Sequence, residues 1–260
     1  MTTISPKNPL REVEKNNPWY NDDQFLLQME NPAVQKVILA RWAIFRSVID
    51  QYTAPLKANH IFQILDAGCG DGINLIGLDQ IKTELGLNCE IHACDYNQIR
   101  LERAKRFSFI KSFKEADLLK MPYEDDSFDI ILCNHVLEHI PDMEKALAEI
   151  KRILKPGGKA ILNVPNEGCL MAQIRNNILQ RKILKTTDHV HFLTKSSFGK
   201  FIRNAGLNIE RFERRGFFIP YLPLHSYIRI QKWGEHLENM LARIFPSQGT
   251  DLVAITTKEA

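Results

Sequence analysis

Residues 64–72 read Ile-Leu-Asp-Ala-Gly-Cys-Gly-Asp-Gly, an apolar run ending in Asp66 followed by glycines at alternate positions. Gly68, Gly70 and Gly72 lie between the apolar stretch Ile61–Leu65 and a helix-like stretch that begins at Ile73. Strand, tight loop and helix in that order bring backbone close to a ligand. Glycine is the residue that allows both the approach and the left-handed turns it needs. A dinucleotide fingerprint would place its third glycine where Ile73 stands, so this loop suits a different ligand. Other residues of chemical interest follow further apolar runs: Asp95 and Tyr96, Asp117 and Leu118, then Asn134 and His135. An acid after a strand suits ribose hydroxyls, because one carboxylate accepts two hydrogen bonds. Histidines at His135, His139, His189 and His191 are the candidates for proton transfer.

These residues need elements to position them. Strands are expected at Ile61–Asp66, Cys89–Cys94, Ser112–Ala116, Phe128–Cys133, Lys159–Val164, Leu207–Phe212 and Asp251–Thr256. Helical spacing marks Ala33–Gln51, Ile73–Leu85, Gln98–Phe107 and Met143–Leu154, with Lys155-Pro156-Gly157-Gly158 as a stop. Thr194 suits the cap of a helix over Lys195–Ala205. Strands alternating with helices predict an α/β fold, a doubly wound, Rossmann-like, mostly parallel seven-stranded sheet with helices on both faces. Ligands bind such sheets at the carboxyl ends of the strands, where the acids above fall. The first thirty residues, and 166–188, read as irregular. The domain reading is an N-terminal helical segment or lid over 1–58 and a main domain over 59–260. That domain carries cap or substrate-binding insertions near 166–192 and 214–249.

The segments Leu65–Gly72, Ala93-Cys94-Asp95, Ala116-Asp117-Leu118 with Met121-Pro122, Ser127–Ile131, Val136–Ile140 and Ile153–Gly158 together resemble class I S-adenosylmethionine-dependent methyltransferases. The nearest branch is similar to the ubiquinone and menaquinone biosynthesis type and its small-molecule relatives. The resemblance covers about residues 60–165. It implies S-adenosyl-L-methionine as cofactor, with Gly68, Gly70 and Gly72 passing its methionine end and Asp66 orienting the loop and the amino group. It also implies Asp95 on the ribose hydroxyls with Tyr96 beside it, Asp117 and Leu118 at the adenine, and Asn134 and His135 beside the methionine portion and the acceptor. A cofactor without pyrophosphate agrees with a loop that lacks the phosphate-cradling pattern.

Methyl transfer is an in-line displacement that needs a base only for an acceptor such as a hydroxyl. His189 and His191, in Asp188-His189-Val190-His191-Phe192, lie near the expected acceptor, and with His135 they are the candidate catalytic residues. The expected reaction is methyl transfer to a small molecule, at oxygen. No resident metal is assigned, although His135, Glu138 and His139 share a helical face that His189 or His191 could complete. That arrangement is similar to small-RNA 3′-terminal 2′-O-methyltransferases and some quinone O-methyltransferases, which carry Glu where this chain has His135. A metal-assisted RNA methyltransferase and a non-catalytic cofactor-binding scaffold are the alternatives.

Composition sets outer bounds. The 260 residues carry a net charge of +3, too little to imply nucleic acid. Five cysteines without C-x-x-C spacing read as reduced thiols of a cytoplasmic protein. From Cys169 to Gly206, Arg175, Arg181, Lys182, Lys185, Lys195, Lys200 and Arg203 stand against the single acid Asp188, which suits an anionic acceptor. Phe217–Leu224 and the helix after it offer a broad apolar surface, read first as a lid over the acceptor pocket. A homodimer contact or a peripheral membrane contact is the next reading.

Overall fold

Seven segments pair into one sheet: β1 (Phe62–Ala67), β2 (Cys89–Asp95), β3 (Ser112–Glu115), β4 (Phe128–Asn134), β5 (Leu154–Pro165), β6 (Asn208–Arg215) and β7 (Asp251–Thr257). The structure is a computed structural model and describes residues 22–56, 60–182 and 187–259. Across the sheet the order is β3-β2-β1-β4-β5-β7-β6. The pairs among β1 to β5 are parallel, whereas β7 runs antiparallel to both β5 and β6. The order reverses between β1 and β4, which opens the crevice in which doubly wound sheets bind ligands. Because β7 runs backwards, its first residue, Asp251, stands beside Pro165 and Arg215 at that same edge.

The helices are α1 (Gln24–Met29), α2 (Pro32–Thr53), α3 (Ile73–Leu85), α4 (Gln98–Ala104), α5 (Met143–Ile153), α6 (Leu170–Ile174), α7 (Lys195–Asn204), α8 (Leu222–Ile230) and α9 (Gly234–Ile244). On one face of the sheet Phe45, Leu78 and Leu101 from α2, α3 and α4 pack on Phe62, Ile91 and Ile130. On the other, Leu147 and Ile150 of α5 join Phe198 and Ile202 of α7 against Ile131 and Leu162. Both faces of the central strands are therefore buried, as their continuous apolar character requires. Asn31 caps α2 by accepting from the Ala33 and Val34 amides, with Pro32 as the first helical residue. Thr194 and Ser197 form a reciprocal capping box on α7.

The structure departs from the sequence reading at several ends. The N-terminal stretch is not irregular up to Ala33: Asp23 caps α1, whose Phe25 packs edge-on against Phe107 at 5.5 Å. The strand after α5 starts at Leu154, which already pairs with Phe128, and Lys155–Gly158 shift its register before Lys159 meets Ile130. The 166–188 segment holds α6 and a π-helical turn over Arg175–Leu179. Its Lys185 lies outside the described residues, as do residues 1–21 and 57–59 of the N-terminal segment. Segments 166–182 and 214–249 pack on each other: Met171 lies against Phe217, Ile219 and Phe218.

The loop after β1 is tied to α4 by charge. Buried Asp71 meets Arg100 Nε at 3.0 Å and Arg103 Nε at 2.8 Å, and both guanidiniums are mostly shielded. Removing one partner leaves the others poorly solvated. Asp71→Ala is expected to cost roughly 3 kcal/mol of stability, read from the urea unfolding midpoint, with Arg103→Ala costing less.

Candidate active site at the carboxyl ends of the strands

All three loop glycines have positive φ, +84° at Gly68, +52° at Gly70 and +92° at Gly72. A Cβ at Gly70 would stand 2.5 Å from the Arg100 guanidinium, and one at Gly72 would stand 2.5 Å from the Phe107 ring. Backbone conformation and space both demand glycine there. The Gly68 and Cys69 amides donate to the Cys94 carbonyl at 2.8 and 2.9 Å. At the tip of β2, Asp95 accepts from the Gly70 amide through Oδ2 and from the Asn97 amide through Oδ1, each at 2.8 Å. Burial raises the Asp95 pKa, opposed by Arg100 and these amides.

Asp66, the last acid of β1, is fully buried, and neither carboxylate oxygen has a hydrogen-bond partner. Burial holds its pKa up at about 7, against the pull of Arg41. Arg41 comes from α2 and is itself buried, with an unpartnered Nε. Its pKa falls to about 10 through burial and the like charge of Arg215, while Asp251 and Asp66 pull it upward. Arg215, at the end of β6, donates to the Val37 carbonyl, and its Nη1 lies 4.0 Å from Asp251. Sequence reasoning missed Arg41, Arg215 and Asp251. The first stands on a helix that reads as generic amphipathic, and the other two depend on the direction of β7.

The remaining sequence-predicted cofactor residues sit along the same edge. Asp117 is exposed in a turn, where Oδ1 accepts from the Leu119 amide at 2.9 Å. The Leu118 side chain points into the core, so only its backbone faces the edge. Tyr96 is half-buried directly after Asp95. Asn134 closes β4 and accepts from Asn163 Nδ2 at 2.7 Å.

His135 follows with φ +54°, a left-handed conformation rare outside glycine, and its amide donates to the Asn163 carbonyl at 2.9 Å. Its ring lies between two carboxylates, with Nδ1 3.3 Å from Glu138 and Nε2 3.5 Å from Asp251. Glu138 is fully buried, and although burial would raise its pKa, His135, His139 and His189 hold it below the ordinary value. His189 packs edge-on against His139, ring centres 4.7 Å apart, and its Nδ1 lies 2.5 Å from Glu167 Oε2. Burial lowers the His189 pKa, but the Glu167 carboxylate raises it to a net upward shift. Glu167 is gripped from its other oxygen by buried Arg175 at 2.7 Å. Glu138, His139 and His189 offer one ligand atom each within 4.8 Å of one another. His191 stands apart: its Nε2 lies 3.0 Å from the Ile140 carbonyl, to which the ring donates, and it packs on Phe201. Glu167 and Arg175 were also missed, one as a plain loop acid and the other as part of a basic run.

Comparison with known proteins gives the family of the chain. Residues 65–162 match a family model described as a methyltransferase domain. The ubiquinone biosynthesis O-methyltransferase of Cupriavidus pinatubonensis is 30% identical over 180 residues, which cover 65% of this chain and 68% of that protein. The protein of the same name from Saccharophagus degradans is 29% identical over 174 residues, 60% of this chain and 71% of that one. Among solved structures, phosphoethanolamine N-methyltransferase 2 of Haemonchus contortus, in complex with S-adenosyl-L-methionine, superposes with a TM-score of 0.52 at 19% identity. It covers 81% of this chain and 53% of that one, a likeness of fold. On sequence and architecture together, the chain belongs to the class I S-adenosylmethionine-dependent methyltransferases.

Proposed function

We propose that this methyltransferase acts on an oxygen of a small-molecule acceptor, with His189 as the base. The observation that carries the reading is the pair of half-buried His189 and buried Glu167 at 2.5 Å, braced by Arg175. A carboxylate on Nδ1 fixes the ring tautomer and leaves Nε2 to take a hydroxyl proton. The names of the ubiquinone-biosynthesis relatives support oxygen as the acceptor atom. The buried Nη1 of Arg215, which makes no hydrogen bond and only a long 4.0 Å ion pair with Asp251, supports an anionic group on the acceptor. His191, spent on a carbonyl, is given a structural role.

The cofactor supplies a methyl group already activated by its sulfonium. Asp66 and Arg41, two buried groups with unpartnered atoms, fit the ammonium and carboxylate of its methionine end. The glycine loop packs so closely on Val136, Arg100 and Phe107 that a Cβ at Gly68, Gly70 or Gly72 would collide with them, which keeps its backbone in the shape that passes the cofactor. Asp95, with Tyr96 next to it, faces the ribose hydroxyls, Asp117 and the Leu118 backbone the adenine, and Asn134 and His135 the methionine end. Positioning by these groups supplies most of the acceleration, because an in-line displacement gains chiefly from alignment.

The close grouping of Glu138, His139 and His189 favours a second reading, in which a divalent cation on these three activates the acceptor oxygen. That reading would bring RNA-terminal 2′-hydroxyls back among the acceptors.

Four measurements follow. An ammonium beside Asp66 favours its carboxylate, so affinity for S-adenosylmethionine by calorimetry is expected to rise about tenfold from about pH 6 to about pH 8. Asp66→Asn should flatten that rise. By the same sign the raised Asp66 pKa lowers ligand-free stability as pH climbs from 3.8 to about 7, so the Asn variant should gain stability above it. No heat of binding at either pH would remove the cofactor assignment. His189→Ala should lower turnover of a phenolic acceptor about 10²–10⁴-fold with cofactor affinity intact. Turnover is expected to survive a chelator; loss on chelation, restored by a divalent cation, would move His189 from base to ligand.

A further inference from the structure

Glu167, Arg175 and Asn176 lie beyond the stretch matched by the methyltransferase family model, and all three are buried. They form one unbroken line to the proposed base. His189 Nδ1 donates to Glu167 Oε2 at 2.5 Å, and Arg175 Nη2 donates to Glu167 Oε1 at 2.7 Å. Arg175 Nε in turn donates to Asn176 Oδ1 at 2.8 Å. The guanidinium therefore spends its fork in two directions, and its charge lies over the Phe218 ring, 4.8 Å from the centroid. Phe218 stands between β6 and α8, so the line is seated on the segment that leads into α8.

The backbone lets neighbours in sequence serve one another. Successive side chains on an α-helix point well apart. Here α6 widens at Arg175 into the π-helical turn, closed by the Gln180 amide, which donates to the Arg175 carbonyl at 2.7 Å. Arg175 and Asn176 are buried together, whereas Asn177, Ile178 and Leu179 face solvent. Such turns recur at functional sites. The backbones on either side are pinned. Beside Glu167, the Gly168 amide donates to the Leu193 carbonyl at 2.8 Å, and a Cβ on Gly168 would stand 2.5 Å from Thr194 Cγ2. Beside His189, the Val190 and His191 amides both donate to the Glu138 carbonyl, at 2.9 and 3.1 Å. The Glu167 side chain is the part left to orient. Held at one oxygen by Arg175, it turns the other to the ring.

We propose that Asn176 and Arg175 are positioning residues for the base, fixing through Glu167 which nitrogen of His189 faces the acceptor. A carboxylate only accepts, so its ring partner carries the proton on Nδ1 and presents the Nε2 lone pair. Without the arginine, Glu167 is a buried carboxylate with one oxygen unpaired, free to turn from the ring. Without Asn176 the guanidinium keeps its charge and loses the bond that sets its plane. The catalytic consequence rests on the base assignment above; the tautomer does not.

The test reads the ring directly. Nitrogen NMR of the full chain labelled in its histidines, at a pH where the ring is neutral, is expected to show His189 protonated on Nδ1. Its signals are assigned by their loss in His189→Gln. Arg175→Met and Asn176→Ala should each mix in the form protonated on Nε2. Turnover of a phenolic acceptor should fall about 10²-fold in the first and about tenfold in the second, with acceptor KM and S-adenosylmethionine affinity unchanged. Asn176→Asp keeps an oxygen in the same place and should retain both the wild-type tautomer and its turnover. Should Arg175→Met not fold, the two Asn176 variants decide alone. A tautomer unaltered in the folded variants overturns the proposal. So does an equal loss of turnover in Asn176→Asp and Asn176→Ala, the mark of a packing role. A mixed tautomer with wild-type turnover upholds the positioning and overturns the base assignment.

Discussion

The site depends first on one carboxylate. Asp95 closes β2 and spends one oxygen on the Gly70 amide and the other on the Asn97 amide, each at 2.8 Å. It thereby joins the loop after β1 to the cap of the helix after β2, so that two neighbouring crossovers share one buried anchor. The loop is shaped before any ligand arrives, because its left-handed glycines and its bonds to Cys94 are satisfied within the protein. Each Asp95 oxygen keeps a second lone pair, which is what a ribose hydroxyl requires. In the proposed arrangement the same group is structural through its first pair of bonds and recognitional through its second.

From this anchor the charges continue as a row along the strand ends. Asp66 answers to Arg41, Arg41 to Asp251, Asp251 to His135, His135 to Glu138, and Glu167 holds His189 to Arg175. Burial would oppose nearly every one of these charges alone. They persist because each faces an opposite partner, while atoms without a hydrogen bond remain on Asp66, Arg41, Arg215, Glu138 and His139 along the row. A row of this kind can place two acidic and basic environments a few ångströms apart on one rigid edge. That separation is what a transfer reaction with a charged donor and a proton-losing acceptor needs.

Much of the cofactor half was legible in the sequence because its elements carry strong local signals. Alternate glycines, acids directly after apolar runs, and the Lys155–Gly158 stop are all decided within a few residues. The acceptor half was less legible for a physical reason. Asp251 reaches the site only because β7 runs antiparallel, and nothing local to Asp251–Thr257 states a direction. Glu167 and Arg175 find each other through a π-helical turn that no periodicity marks, and Arg41 owes its place to how α2 packs. α1 was overlooked because six residues between Asp23 and Glu30 form a helix too short for periodicity to reveal. Thr194 was readable as a cap, since the cap and its partner Ser197 stand three residues apart.

Arg41 has one more consequence. It comes from a helix that lies before the first strand, outside the region matched by the methyltransferase family model. Its seat depends on close approach, for the neighbouring Trp42 ring packs against Gly77 of α3, where a Cβ would stand 2.5 Å from the indole. In the proposed arrangement the donor's carboxylate completes a contact between two parts of the chain that the sheet itself does not join. Loading of the donor and seating of α2 are then two readings of one equilibrium, each favouring the other by the same free energy.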